Sequence, residues 1–395
     1  LNRKTITFIS YFVFVFIAFI FTIISPLLPE ISVAFSVGMI QTGSIFSASC
    51  IGFLIFSIIG GMLADRFGKK VVLSISLFGY AIALFLFPNS PNFNIALFSI
   101  FLMGGFNGTI QSIVGALIIE VNPKKPAFYL NLGHMFFGVG ALLGPLVVGF
   151  LLPRGVSWHT FYFTLSFISF LSGAFFISIN LPSNSKSSEI SWGEFKKLMF
   201  DKKILLICFC IALYNGSEIG SWGWMATFLK KNLLFSIEKS GIAVSIFWLS
   251  MTIGRLLCSI LTLHINTRQI ITYFAFFAAI VSALSSMIVK EFQLWPIIIL
   301  MGLTYSGLCP LMISYGSAYY KSSSGTLFAL LMGSGSFGIM IVPFLMGIIA
   351  EKVNTRIAMS SPAILLFIVA IIFYSFKRKS LNLTNNPNIN LEINP

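Results

Sequence analysis

The sequence predicts an all-α membrane protein of twelve spanning helices, arranged as two pseudo-symmetric six-helix bundles. Three observations carry this expectation. Of the 395 residues, 57% are hydrophobic and only 9% are charged, whereas a soluble domain spends about 25% of its residues on charge. The chain contains 44 Phe, which suits a surface that faces lipid. It also falls into twelve apolar runs of roughly the 20 residues a helix needs to cross a bilayer, and the second six repeat features of the first.

The runs lie at 6–27, 41–63, 70–88, 94–121, 127–152, 159–180, 204–229, 238–263, 268–288, 293–318, 324–350 and 356–376. Each is read as a helix, because an open strand in hydrocarbon would leave its backbone N–H and C=O groups unpaired. The first run has the length of a full span, with no small-residue cleavage site before the next loop. It is therefore read as the first helix and not as a removed leader. The longest internal loop, 181–203, divides six spans from six. The expected organisation is a bundle over 1–180, a linker over 181–203, a second bundle over 204–376 and a tail over 377–395. In the linker, Ser191-Trp192-Gly193-Glu194 fits a capping box, and Trp192, Phe195 and Met199 follow at helical spacing among Lys196, Lys197, Lys202 and Lys203. That pattern fits a short amphipathic helix on the inner leaflet, and equally a plain solvated linker. The Asn-rich tail reads as disordered.

The internal repeat is specific. Leu102-Met103-Gly104 matches Leu300-Met301-Gly302 at an offset of 198, and Gly140, Pro145 and Gly149 match Gly338, Pro343 and Gly347 at the same offset. Ile51-Gly52 matches Ile253-Gly254 at 202. Three helix pairs in one order at a nearly constant offset indicate duplication of a six-helix unit. In such folds the substrate binds between the halves near the midplane, and rocking gives alternating access.

Charge sets the expected orientation. With the N-terminus in the cytoplasm, the inside segments hold seventeen of the 25 Lys and Arg residues. The outside loops hold seven: Arg154, Lys230, Lys231, Lys239, Lys290, Lys352 and Arg356. Arg255 falls within a span. This asymmetry is what the positive-inside rule demands, with both termini cytoplasmic in a multi-pass cell-membrane protein. It also accounts for the formal charge of +14 without nucleic acid as a partner. Cys50, Cys208, Cys210, Cys258 and Cys309 all fall in apolar runs without a CxxC pair, and read as buried small apolar residues. No metal or cofactor is expected.

The loop between the second and third runs reads Gly61-Met62-Leu63-Ala64-Asp65-Arg66-Phe67-Gly68-Lys69-Lys70. A tight turn there would use Gly61 and Gly68. Asp65 could dock on the N-terminus of a neighbouring helix, whose dipole favours an anion. The eleventh span begins on that face after Ser322-Ser323-Ser324, which could cap it. This stretch resembles the GxxxDRxGRK loop of the major facilitator superfamily, and the resemblance implies a cytoplasmic latch between the halves. The second-half counterpart, around Asn266-Thr267-Arg268, lacks the acid and the glycines.

Three further helices narrow the resemblance. Leu130-Asn131 through His134 to Gly144-Pro145 is similar to the LNxxHxFFGxGAxxGP fifth helix of the fucose permease and glucose symporter branch. Tyr214-Asn215-Gly216-Ser217-Glu218 with Trp222 resembles that branch's YxGxExxxxxW, and Phe247-Trp248 with Gly254-Arg255 resembles its FW…GR. Transporters of that branch often carry an acid in the first helix; residues 6–25 contain none.

Polar groups inside spans are costly in lipid and usually face a cavity or a partner. Glu218 is the one acid near the centre of a run, and Glu120 sits at a run's end and reads as interfacial. Glu218 reads either as a substrate or proton site or as half of a structural pair with Arg255. His134 reads as a site residue or a packing histidine. Asn131, Asn107, Gln111 and Asn215 could hydrogen-bond a polyol, and Trp222, Trp248 and Tyr305 could supply a flat face for a sugar ring. The expected function is secondary transport of a small polar solute, a sugar by the resemblance, by a monomer in the bilayer with protons as candidate co-substrates. The alternatives are export of drugs or metabolites and, from another class, a receptor or scaffold. Nothing points to an enzyme: the chain has no GxxxxGK[ST] phosphate loop and no nucleophile elbow.

Overall fold

The computed structural model describes residues 2–123, 126–179, 181, 200–262, 264–317 and 324–376. Twelve helices there are long and apolar enough to cross a membrane. We number them spans 1 to 12: Arg3–Thr22, Met39–Ala64, Lys69–Leu86, Phe93–Val121, Leu132–Arg154, Trp158–Ser178, Lys202–Leu233, Ile237–Cys258, Thr267–Ser285, Glu291–Gly316, Leu330–Lys352 and Thr355–Ser375. The expected linker helix, the tail and the Ser322-Ser323 cap lie outside the described residues.

Prolines make the main departures from the expected runs. The helix of span 1 stops at Thr22, and a second helix, Ile24–Ala34, carries the chain onward. Pro26 has no N–H for the Thr22 carbonyl, so the ladder breaks there. Span 10 is likewise two helices, Glu291–Tyr305 and Leu308–Ser317. Pro310 leaves the Ser306 carbonyl without a helical donor, and Arg255 of span 8 takes it up, its Nε donating at 3.4 Å. Thus a backbone interruption in one helix becomes an anchor for an intramembrane cation on another.

The repeat seen in the sequence reappears as equivalent contacts. Gly104 lets span 4 lie against the Ser49 carbonyl of span 2, and its mate Gly302 lets span 10 lie against the Phe247 carbonyl of span 8. A Cβ at either position would collide with that backbone, so small residues set these crossings. The two seams between the halves are mates as well. Ser47 of span 2 donates its hydroxyl to the Met340 carbonyl of span 11. Ser245 of span 8 donates to the Leu142 carbonyl of span 5 at 2.9 Å. Both residue pairs are related by the same offset of 198.

These contacts seal one end of the bundle, the end away from the chain termini. There Ser25 of the first half donates to the Trp222 carbonyl of the second at 2.7 Å. Lys230 pairs with Glu30 at 2.8 Å. The Glu351 carboxylate, at the end of span 11, accepts from the Ile40 N–H in the first turn of span 2 at 2.9 Å. Toward the termini, the last inter-half contacts among the described residues are Cys50 with the Ser336 carbonyl and Gly138 against Thr252. Beyond them His134 is exposed, and a Cβ on Gly333 would meet nothing within 4 Å. The halves therefore part toward the end that carries the termini.

Candidate functional site

Glu218 lies midway along the 32-residue helix of span 7, about 24 Å of helix rise from its start. It is half-buried and under the electrostatic influence of Arg255. Tyr214, one helical turn earlier, is within hydrogen-bonding range of the Glu218 carboxyl and donates its hydroxyl to the Tyr305 carbonyl at 2.6 Å. Cys309 of span 10 feels both Glu218 and Arg255 and is hydrogen-bonded by Asn215. Asn215 fits because Gly335 of span 11 has no side chain to displace its amide. Arg255 also lies within electrostatic reach of His134 on span 5, whose ring sits 5.4 Å from that of Phe14.

One polar set therefore draws on both halves: Glu218, Tyr214, Asn215, Arg255 and Cys309 from the second, and His134 from the first. It lies on the open side of the seal. The ion pairs among the described residues are Lys69 with Glu120, Lys230 with Glu30 and Lys239 with Glu291, and none joins Glu218 to Arg255. The guanidinium is held at the Ser306 carbonyl and 3.7 Å from the Met251 sulfur. The carboxyl and the cation thus share one field without closing on each other. Such a set can bind a polar solute, and Glu218 can gain or lose a proton.

A second group sits on the sealed side. Trp222 packs against Phe21 of span 1, Phe46 of span 2 and Trp248 of span 8, with ring centroids 5.2, 6.4 and 5.7 Å away. Both Trp are buried, and neither indole N–H has a hydrogen-bond partner among the described residues. Tyr305 stands apart from this box. It is fully buried in the second half, its hydroxyl bonded to Ser221 at 3.0 Å and Ser282 at 2.8 Å. Asn107 is buried on span 4 with its amide oxygen unpartnered, and Gln111 is half-buried one turn further on the same face. The Asn131 side chain lies outside the described set.

The loop after span 2 differs from the expectation in three ways. Gly61 is not in a turn, because the helix runs unbroken from Met39 to Phe67 and the Cβ position of Gly61 is open. The turn is Gly68 alone, at φ 90°, where a side chain would be strained. Lys69 is not a solvated loop cation but is buried and paired with Glu120, so Glu120 is not simply interfacial. Arg66 packs over the Phe67 ring at 5.3 Å, and Lys70 is half-buried. The Asp65 side chain lies outside the described set. Sequence reasoning quoted Tyr214 in a motif without giving it a site role, and missed Glu351 and the Ser47 and Ser245 seam bonds. Helical spacing from Glu218 would have given Tyr214 its role, and the offset of 198 would have found the two seam bonds.

The family model of the Major Facilitator Superfamily matches the chain in two overlapping stretches, 10–326 and 207–391. Among curated relatives, the Protein TsgA homolog of Buchnera aphidicola subsp. Schizaphis graminum is 23% identical over 385 residues, covering 96% of this chain and 98% of that one. Protein TsgA of Escherichia coli O6:K15:H31 is 22% identical over 363 residues, 91% of each chain. Among solved structures, a bacterial homolog of the human lysosomal transporter Spinster, inward-facing and occupied, superposes with a TM-score of 0.80 at 14% identity, covering 94% and 96% of the two chains. The nucleoside transporter NupG gives 0.79 at 15% identity, covering 95% and 100%. The Escherichia coli fucose:proton symporter FucP gives 0.64 at 17% identity, covering 95% and 99%. At these identities the structural likeness concerns the fold.

Proposed function

This chain belongs to the Major Facilitator Superfamily and is a multi-pass membrane transporter, and from that premise we propose that it moves a sugar or sugar-bearing solute by alternating access, with Glu218 as the proton-coupling group. The reading rests on one observation: Glu218, Arg255 and His134 converge from both halves, midway through the membrane and just below the sealed contacts. A solute bridging them would be held by groups that separate when the halves rock. Asn215, Asn131, Asn107 and Gln111 are proposed as further polar contacts. The sugar class draws on the fifth-, seventh- and eighth-helix motifs. It also fits FucP and NupG, whose named substrates both carry a polyhydroxylated ring.

Both termini are proposed to be cytoplasmic, on the charge count, so the open end faces inward and the sealed end outward. The Gly61–Lys70 loop, with Asp65, Arg66, Gly68, Lys69 and Lys70, is the proposed inner latch, and a monomer suffices. Uptake and efflux of labelled hexoses and nucleosides by the protein in vesicles, with and without a pH gradient, test the reading. Accumulation driven by an inward proton gradient is the expected result. Transport of lipophilic cations with no sugar movement would favour the exporter alternative.

A further inference from the structure

Most buried polar groups at the interface between the halves are satisfied. Ser25, Ser47 and Ser245 each reach a carbonyl of the other half, and inside the second half the Trp224 indole donates to Pro343 and the Tyr305 hydroxyl binds two serines. Among the described residues five buried side-chain polar atoms lack a partner, those of Asn107, Tyr162, Thr227, Trp222 and Trp248, and of these Trp222 and Trp248 are in ring contact with each other. Their rings are adjacent, their exposures are 0% and 3%, and both N–H groups are unpartnered among the described residues. A buried donor left unpaired is rare and needs a physical reason. Packing alone does not supply one, since a Phe ring would fill much of the same space without a stranded donor.

Their position supplies the reason. On span 8, Trp248 stands between Ser245, which bonds the Leu142 carbonyl of span 5, and Thr252, which lies against Gly138 of span 5. Trp222 carries the carbonyl that Ser25 bonds from the other half, and its ring lies against Phe21 and Phe46 of that half. The walls of the box therefore belong to different halves. Parting of the halves at the sealed end would carry Phe21 and Phe46 away from Trp222 with the first half.

Resting on the transporter reading above, we propose that Trp222 and Trp248 form a two-donor subsite that takes a pair of neighbouring oxygen acceptors, such as a vicinal diol, from the sealed side when the halves part. Closure strands the two donors, so they hold the solute in the outward state and release it as the box shuts. Glu218 and Arg255 lie on the other side of the seal and take no part in this first contact.

Trp222→Phe and Trp248→Phe keep an aromatic ring and delete the N–H. In vesicles with the protein oriented one way, KM is read from each side for whichever of D-glucose, L-fucose and uridine the parent chain moves. Each variant should raise KM on the sealed side roughly tenfold, with less than about a twofold change on the side of the termini. An equal rise on both sides, or none, overturns the subsite. A second measurement needs no substrate: indole N–H exchange in ¹⁵N-Trp-labelled protein. Glu351→Ala, which loosens the seal, should bring the Trp222 and Trp248 signals into exchange with water, while Trp295 is unaffected. If all three stay unchanged, the donors are not uncovered by opening and the proposal fails. If none of the three solutes moves but the two signals respond, the sugar reading fails and the donor pair stands.

Discussion

Glu351 gives the seal a measurable strength. Its carboxylate caps the first turn of span 2 from the opposite half, at 2.9 Å from the Ile40 nitrogen. Losing a side-chain cap at a helix start costs about 1 kcal/mol. The interaction of the charge with the helix dipole adds roughly 0.3–1 kcal/mol, reduced by the exposure of the group. The bond exists only while the end is sealed, so its whole value biases the conformational equilibrium. Glu351 is exposed, and discounting both terms for that leaves about 1 kcal/mol in all, so Glu351→Ala should lower the sealed-to-open ratio roughly fivefold, since 1.4 kcal/mol is a factor of ten. Gly38 offers an independent perturbation. A Cβ there would lie 2.5 Å from the Glu351 carboxylate oxygen, so Gly38→Ala should push the carboxylate off its donor to similar effect. The backbone at Gly38, with φ −75°, accepts alanine. The assay is the labelling rate of a single cysteine at Thr227, a buried position on span 7, in a chain whose five native cysteines are replaced. Both variants should react about fivefold faster with an impermeant maleimide, and the double variant no faster than either, because both remove one contact. Unchanged rates, or effects that multiply, would refute the capping argument.

Other substitutions separate structural from functional roles. Glu120→Gln removes the carboxylate from a pair whose side chains are 8% and 17% exposed, so thermal unfolding in detergent should show a loss approaching the roughly 3–5 kcal/mol of a broken buried pair. Glu30→Gln, in a pair 31% and 40% exposed, should cost under about 1 kcal/mol in the same measurement. Glu218→Gln cannot titrate; it should abolish accumulation driven by a pH gradient while leaving solute exchange, and a variant that still accumulates would remove Glu218 from coupling. Cysteines placed near Lys231 and Lys352 should react with impermeant reagents from outside the cell and one near Lys70 should not; the reverse pattern would invert the proposed orientation.

The twelve spans were legible because lipid imposes a length and an apolar composition that few other structures share. The duplication was legible because helix crossings need glycine at fixed places, and Gly104 and Gly302 meet equivalent carbonyls. The interruptions at Ile23 and Ser306 were not legible as breaks. A proline within an apolar run is compatible with a kinked helix, and only the three-dimensional partners decide what happens to the released carbonyl. At the site, residue type was informative for Glu218, Arg255 and His134, since ionisable groups rarely survive in spans without a role. Side-chain state was not: nothing in the sequence distinguishes Tyr305, whose hydroxyl is spent on two serines, from Trp222 and Trp248, whose donors are stranded. Lys69 was hidden for the opposite reason. A loop lysine resembles every other inside charge until Glu120 of span 4 is brought beside it.

The chemistry of the seal bears on how such a protein can cycle. The side-chain hydrogen bonds that cross between the halves at the sealed end include three small hydroxyls donating to backbone carbonyls. Each such bond exchanges for a bond to water on opening, so its net worth is only about 0.5–1.5 kcal/mol. An apolar seal of the same extent would lose about 25 cal/mol for every Å² exposed and would resist opening far more strongly. Ser47 and Ser245 stand at equivalent points on the two seams, so this pair of bonds holds both seams alike. Glu351 has no such mate: the residue at the matching position of the first half is Pro153. The seam of spans 2 and 11 thus carries an extra tie that the seam of spans 5 and 8 lacks, and opening should begin along spans 5 and 8, beside Trp248.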